Sequence, residues 1–260
     1  MTASGSSPLE LVVVDAFTDQ PFAGNPAAVA VLDAFPDVDT MQAVASEMNL
    51  SETAFAVGRP DGDFELRWFT PTVEIDFCGH ATVATAHVLA RPVAFHTKSG
   101  VLRCGLAPDG WIELDAPADP VSPAKTPAAV DDPAVRSFAM ARFDALVELA
   151  RGADVRDYEP DLGALASLDT RSVIVTAPGD RPGIDCVSRV FGPNVGIPED
   201  PVTGSAHCTL AGFWGERLNK RELVGEQASR RGGIVRMRLE GDRVVIGGQA
   251  VTVSRVTFAG

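Results

Sequence analysis

Two stretches of this chain have a helical period but no polar face: "GHATVATAHVLA" from Gly79 and "GSAHCTLAGFWGERL" from Gly204. Small and apolar residues fill nearly every position of the first, and such a helix has to be enclosed by other structure, because none of its faces gains from water. The flanking sequence supplies the enclosure. "LELVVVDAF", "TAFAVG", "DFELRWFT", "PVAFHTKSG", "VLRCGLA" and "WIELDA" read as strands in the first half, and "RSVIVTAPG" and "DCVSRVFGP" in the second. "ELVGEQASR", "GIVRMRLEG", "RVVIGGQ" and "AVTVSRVTF" close the chain as hairpins. A helix is expected over Asp37–Leu50, where an acidic start suits the helix dipole. "RSFAMARFDALVELARGADVRDY" has helical composition but alternates like a strand in "RFDALVELA"; strand followed by helix is the reading adopted.

The two halves resemble each other. "FTPTVEIDFCGHATVATA" from Phe69 overlies "FGPNVGIPEDPVTGSAHC" from Phe191, 122 positions later, matching Phe, Pro, Val, Ile and a later Ala without gaps. Either the match is coincidence in an Ala/Val-rich sequence, or it means two similar lobes, each with strands wrapped around one central helix. The N-terminal lobe is expected over residues 1–117 and the C-terminal lobe over 135–260, its last strands free to cross back. The Pro-, Ala- and Asp-rich stretch at 118–134 is the linker candidate.

Charge and composition exclude several function classes. A formal charge of −13 repels polyphosphate, and the short basic runs "NKREL" and "SRRGG" lack interleaved aromatics, so no nucleic-acid partner is expected. No segment reaches the roughly 18 apolar residues that span a bilayer, so no membrane partner is expected. The opening "MTASGSSPLE" has neither a basic nor an apolar signal region, which points to a frayed end and a cytoplasmic location. Four cysteines without a CxxC pair argue for buried thiols, and the H-x6-H spacing of His80 and His87 matches no ligand pattern. Neither metal nor cofactor is expected.

The first turn of a helix leaves N–H groups unpaired and carries partial positive charge, which suits a carboxylate or a developing oxyanion. Gly79-His80-Ala81 and Gly204-Ser205-Ala206 supply small residues at two such entrances, where glycine equally suits a tight, capped turn. Glu52, in "NLSETAF", is either a carboxylate half-sunk among apolar residues and so tuned for proton transfer, or a solvated loop residue beside a Ser51 cap. His80 is either a ligand-binding group or a satisfied core histidine, and His87 fits the core reading better. Asp200, in "EDPVTGS", either meets a ligand, orients His80, or shapes its Pro-rich turn.

"VDAFTDQPFAGNPAAV", "MNLSETAF", "RWFTPTVEIDFCGHATVATAHVL" and "GIPEDPVTGSAHCTL" together closely resemble the PhzF-like phenazine biosynthesis family, whose relatives include diaminopimelate epimerase. The resemblance spans nearly the whole chain. It implies an α+β fold of two pseudo-symmetric lobes, each a mixed β barrel-like sheet around a central helix, with an active site in the cleft between them, a homodimer, and cofactor-independent isomerisation of a small carboxylate, similar to that of trans-2,3-dihydro-3-hydroxyanthranilate. By that resemblance Glu52 shuttles the proton with His80 and Asp200 beside it, and Gly79, Gly204 and Ser205 hold the substrate. The epimerase relatives use one cysteine at each helix entrance. Here Cys78 faces Asp200 in the ungapped alignment, so a two-thiol mechanism lacks one partner. An amino-acid racemase using Cys78 with Asp200 and a non-catalytic anion binder are the alternatives.

Overall fold

Every residue from Gly79 to Ala86 is buried in the computed structural model, which describes residues 8–130 and 132–259. The Ser/Gly-rich opening expected to fray falls on residues 1–7, outside the described residues. The chain divides into two units. One contains the chain up to Phe22, Pro26–Leu114 and the segment from Gln249; the other contains Ala23–Asn25 and Asp115–Gly248.

In the first unit the order is β1 (Leu9–Ala16), β2 (Asn25–Leu32), α1 (Val38–Met48), β3 (Glu52–Gly58), β4 (Phe64–Phe69), β5 (Glu74–Ile75), α2 (Gly79–Leu89), β6 (Val93–Thr97) and β7 (Gly100–Leu106). Helix α1 starts where Asp37 accepts a hydrogen bond from the Thr40 N–H and stops at Asn49 in the left-handed region. It carries the chain from β2 to β3, which pair in parallel; β3 pairs antiparallel with β4. Met41, Val44 and Ala45 of α1 pack with Leu11, Ala28, Phe55 and Phe69, the two phenylalanines meeting edge to face at 5.6 Å. Helix α2 lies against β1 and β3. Its hydroxyls are satisfied internally: Thr82 and Thr85 donate to the carbonyls of Cys78 and Ala81 at 2.5 and 2.7 Å, so a fully enclosed helix carries threonine without a desolvation cost.

Strand β8 (Ile112–Pro117) spans the division between the units. The second unit then runs β9 (Ser122–Pro123), β10 (Val135–Met140), β11 (Asp144–Leu149), α3 (Gly152–Arg156), α4 (Leu162–Leu165), β12 (Ser172–Pro178), β13 (Cys186–Gly192), β14 (Ile197–Asp200), α5 (Gly204–Leu218), β15 (Glu222–Gln227), β16 (Gly233–Glu240) and β17 (Arg243–Gly248). Phe138, Val147, Val175, Val187 and Phe191 fill its core, and α5 rests on β15, β16 and β17. The Trp214 indole N–H on α5 donates to Thr176 Oγ1 at 3.0 Å, which satisfies a large buried side chain at its one polar atom.

Three expectations change. The ambiguous stretch before Gly152 is two antiparallel strands, β10 and β11, and only the short α3 is helical; β11 is buried at nearly every position, so packing outweighs its helical composition. The closing segments do not all form consecutive hairpins. β15, β16 and β17 do, but β18 (Ala250–Phe258) pairs antiparallel with β1 in the first unit. The stretch at 118–134 is not free chain: β9 pairs with β10, and Val130 is buried in the second core.

The repeat is present in both units, as a strand, a short returning strand and an enclosed helix. β4 pairs with β5 before α2, and β13 pairs with β14 before α5. Yet Gly79 and Gly204 open their helices 125 positions apart, against 122 for Phe69 and Phe191, so the second entrance holds three extra residues. The residue that matches Cys78 at the N-cap is Thr203, not Asp200. No described helix is long and apolar enough to cross a membrane.

Candidate active site

The first entrance assembles around Glu52. Parallel pairing sets Glu52, the first residue of β3, beside Ala27, and α2 packs on β3, which brings the carboxylate to the first turn of that helix. His80 Nε2 lies 2.9 Å from Glu52 Oε2, and Cys78 Sγ lies 3.5 Å from His80 Nδ1. Glu52 and His80 are each 6% exposed and Cys78 5%, so Glu52 is not a solvated loop residue. The carboxylate–imidazole contact is close but not aligned as a hydrogen bond, and Glu52 Oε2 makes none among the described residues.

The electrostatics of the trio follow from its burial. Burial on its own lowers the His80 pKa, but the Cys78 sulfur and the Glu52 carboxylate on either side hold it well above the ordinary value of 6.5. Burial, and then the Glu52 charge, push the Cys78 thiol up. Burial thus favours the protonated thiol, and the neighbouring carboxylate favours the protonated imidazole. Cys78 provides no side-chain cap for α2, so the first-turn N–H groups are not consumed by a capping side chain.

The second entrance is organised differently. Asp200 Oδ1 accepts from Asn25 Nδ2 at 2.8 Å, and Oδ2 accepts from the Thr203 hydroxyl. Gln227 clamps the same turn, accepting from Thr203 N–H at 2.9 Å and donating to the Asp200 carbonyl at 2.7 Å. Both carboxylate oxygens of Asp200 are thus engaged in shaping the turn that starts α5. Ser205 Oγ accepts from Arg171 Nη2 at 3.0 Å, and Arg171 forks onto the wholly buried Asp144 at 3.0 and 2.5 Å. Because guanidinium can only donate, the Ser205 hydroxyl keeps its own hydrogen for another acceptor. Thr203, like Cys78, gives its helix no side-chain cap.

Sequence reading missed Asn25, Arg171, Thr203 and Gln227 as partners of this turn. Asn25 and Thr203 lay inside quoted motifs; Arg171, at the head of β12, and Gln227, at the end of β15, carried no local signal. Two other histidines make internal contacts. His207 Nδ1 meets the Thr203 carbonyl at 2.8 Å, and burial pushes its pKa down to about 4, so it is a neutral donor inside α5. His87 Nε2 meets Thr252 Oγ1 at 3.0 Å, and partial burial lowers its pKa. All four cysteines are free and buried.

These features meet in one family. Residues 14–118 and 122–256 match the PhzC-PhzF family, described as phenazine biosynthesis-like protein. The chain belongs to that family. It is 47% identical over 260 residues to an uncharacterized isomerase of Halalkalibacterium halodurans, covering 94% of this chain and 96% of that one. A second uncharacterized isomerase, from Pseudomonas aeruginosa, is 48% identical over 255 residues, covering 93% and 95%. The crystal structure of a PhzF family protein from Enterococcus faecalis superposes with a TM-score of 0.92 at 38% identity, covering 98% of this chain and 100% of that one. A hydroxyproline epimerase from Agrobacterium vitis, at 11% identity and a TM-score of 0.62, shares the fold alone. The protein is an enzyme of the isomerase class, and the epimerase-type α+β architecture that the resemblance implied is the one observed.

Proposed function

We propose that the protein is a cofactor-independent isomerase that moves a proton on a small carboxylate, with Glu52 as the group that takes and returns it. The observation that carries this reading is the trio at the start of α2: a buried carboxylate, 2.9 Å from a histidine whose pKa is raised, with Oε2 making no hydrogen bond of its own. A buried carboxylate in contact with a histidine and shielded from water can act as a general base toward a weakly acidic C–H, then return the proton at a second carbon. His80, 2.9 Å from the carboxylate, orients it and balances its charge as the proton comes and goes. The first-turn N–H groups of α2, at Gly79, serve as donors to the substrate carboxylate and to the charge that develops on it, while the first-turn N–H groups at Gly204 and the Ser205 hydroxyl are the donors that the second entrance offers to an anion. Asp200 takes part by fixing the turn that presents Gly204 and Ser205.

The racemase reading through Cys78 and Asp200 is the weaker one. The Cys78 thiol is held protonated at neutral pH, and both Asp200 oxygens are engaged. A non-catalytic binder has no use for a buried acid beside an anionic ligand.

The test is deuterium incorporation from heavy water into a panel of small carboxylic acids. Wild-type protein is expected to label at least one acid, and Glu52→Gln to cut the labelling rate by about 10²–10⁴ while the acid still binds. An unlabelled panel favours the binder, and undiminished labelling by Glu52→Gln removes Glu52 from the mechanism.

A further inference from the structure

The first entrance joins three different donor chemistries in one buried spot. A carboxylate oxygen of Glu52, the thiol sulfur of Cys78 and an imidazole nitrogen of His80 all lie within 4.8 Å of one another. Each side chain is more than nine-tenths buried, and the Glu52 oxygen facing His80 makes no hydrogen bond. The proton chemistry above uses the carboxylate and the imidazole but gives the sulfur no task.

We infer that Glu52, Cys78 and His80 form a three-ligand site for Zn2+, occupied in competition with substrate. The donor set decides the metal. One sulfur, one nitrogen and one oxygen suit a borderline-soft ion, whereas Mg2+ and Ca2+ require six or more oxygens. Bond lengths of about 2.0–2.3 Å in a tetrahedron put donor atoms about 3.3–3.6 Å apart. The three donor atoms, one from each side chain, lie within 4.8 Å of one another, so side-chain shifts of about an ångström complete the site. Binding releases two protons to solvent, one from the Cys78 thiol as the Zn–S bond forms and one from the His80 imidazolium as its nitrogen is ligated, and water fills the fourth position. Access follows from the isomerase reading, on which this inference rests, because Glu52 must be reached by substrate and an ion reaches the same atoms. Zn2+ bound there takes the lone pair that the base needs, so it inhibits. Cys78 then makes the enzyme responsive to free zinc.

Chelator-stripped full-length protein titrated with Co2+ alone tests the site without any substrate. The expected result is one equivalent bound, with a thiolate-to-cobalt charge-transfer band and the visible absorption of a four-coordinate centre, both abolished by Zn2+. Cys78→Ala, and Cys78→Ser as a second variant of nearer size, retain the other three cysteines and are expected to lose the band and to bind Zn2+ at least about 100-fold more weakly. A wild-type protein without the band, or a Cys78→Ala protein that keeps it, overturns the site. In the deuterium assay Zn2+ is expected to suppress wild-type labelling strongly and Cys78→Ala labelling little, each relative to its own zinc-free rate; equal suppression overturns the competition. The two readings fail separately. Undiminished labelling by Glu52→Gln ends the general-base reading whatever cobalt shows, and a missing cobalt band ends the zinc site whatever Glu52→Gln shows.

Discussion

The two helix entrances arise from the same strand, return and helix, yet differ in what they carry. At α2 three ionisable side chains touch, and the Glu52 oxygen that faces His80 has no hydrogen bond. At α5 the turn is closed by Asn25, Asp200, Thr203 and Gln227, and the charges are paired away through Arg171 and Asp144. Even the histidines part company. His80, the second residue of α2, is pushed up by its neighbours, while His207, the fourth residue of α5, is pushed down by burial. In the proposed mechanism one repeat carries the groups that move protons, and the other offers a hydrogen-bonded turn with its donors. Duplicated architecture thus allows reactivity and rigidity to be divided between halves, instead of compromising both in each.

The largest expected effect tests that division directly. Glu52→Gln should reduce solvent-deuterium labelling by about 10²–10⁴, through kcat, whereas Ser205→Ala should cost about 10²–10³ as an oxyanion donor and appear in KM as well. If Ser205→Ala were the more damaging to kcat, the assignment of chemistry to the α2 entrance would be reversed.

The next effect concerns stability at α5. Asp144 is wholly buried, and its cation is Arg171, so Arg171→Met should destabilise the protein by about 3–5 kcal/mol in urea unfolding. The double variant Asp144→Leu with Arg171→Met should recover most of that loss, because it leaves no unpaired buried charge. Failure to recover would mean that the network holds the turn through Ser172 and Ser205 and not through charge balance.

His207 separates the entrances by pH. Its folded pKa of about 4 lies below the ordinary 6.5, so the unfolded chain binds a proton that the folded chain refuses. The contribution is present above pH 6.5 and is lost as pH falls toward 4, amounting to about 3 kcal/mol at about 1.4 per pH unit. His207→Gln should therefore flatten the stability curve between pH 6.5 and 4 relative to wild type, read from urea midpoints at each pH. An unchanged slope would place the acid sensitivity elsewhere.

Much of this was legible in the sequence because it is local. The lack of a polar face on residues 79–90 announced an enclosed helix, and "CGH" placed two of the three reactive groups beside each other. Whether Glu52 was buried or solvated was not legible, since it depends on β3 running parallel to β2 under α2. The alternation in "AVTVSRVTF" identified a strand but not its partner; pairing with β1 joins opposite ends of the chain, which no local pattern records. The three-residue insertion before Gly204 misled an ungapped alignment into matching Asp200 with Cys78. Arg171 and Ser205 lie 34 positions apart and meet only after folding.

The smallest effect sharpens the comparison at the other ends of the same helices. Helix α2 stops at Ala90 with φ 52°, and α5 stops at Asn219 with φ 51°, both left-handed and both exposed. Alanine pays roughly 1–2 kcal/mol in that region, whereas asparagine is tolerated there. Ala90→Gly removes the steric cost but loosens the unfolded chain by about 0.4–1 kcal/mol, so a net gain below about 1 kcal/mol is expected, worth about 2 °C in Tm for a chain of this size. Asn219→Gly should change Tm hardly at all. A loss of stability in Ala90→Gly would show that the freedom gained by the unfolded chain outweighs the relief of left-handed strain at this exposed helix end.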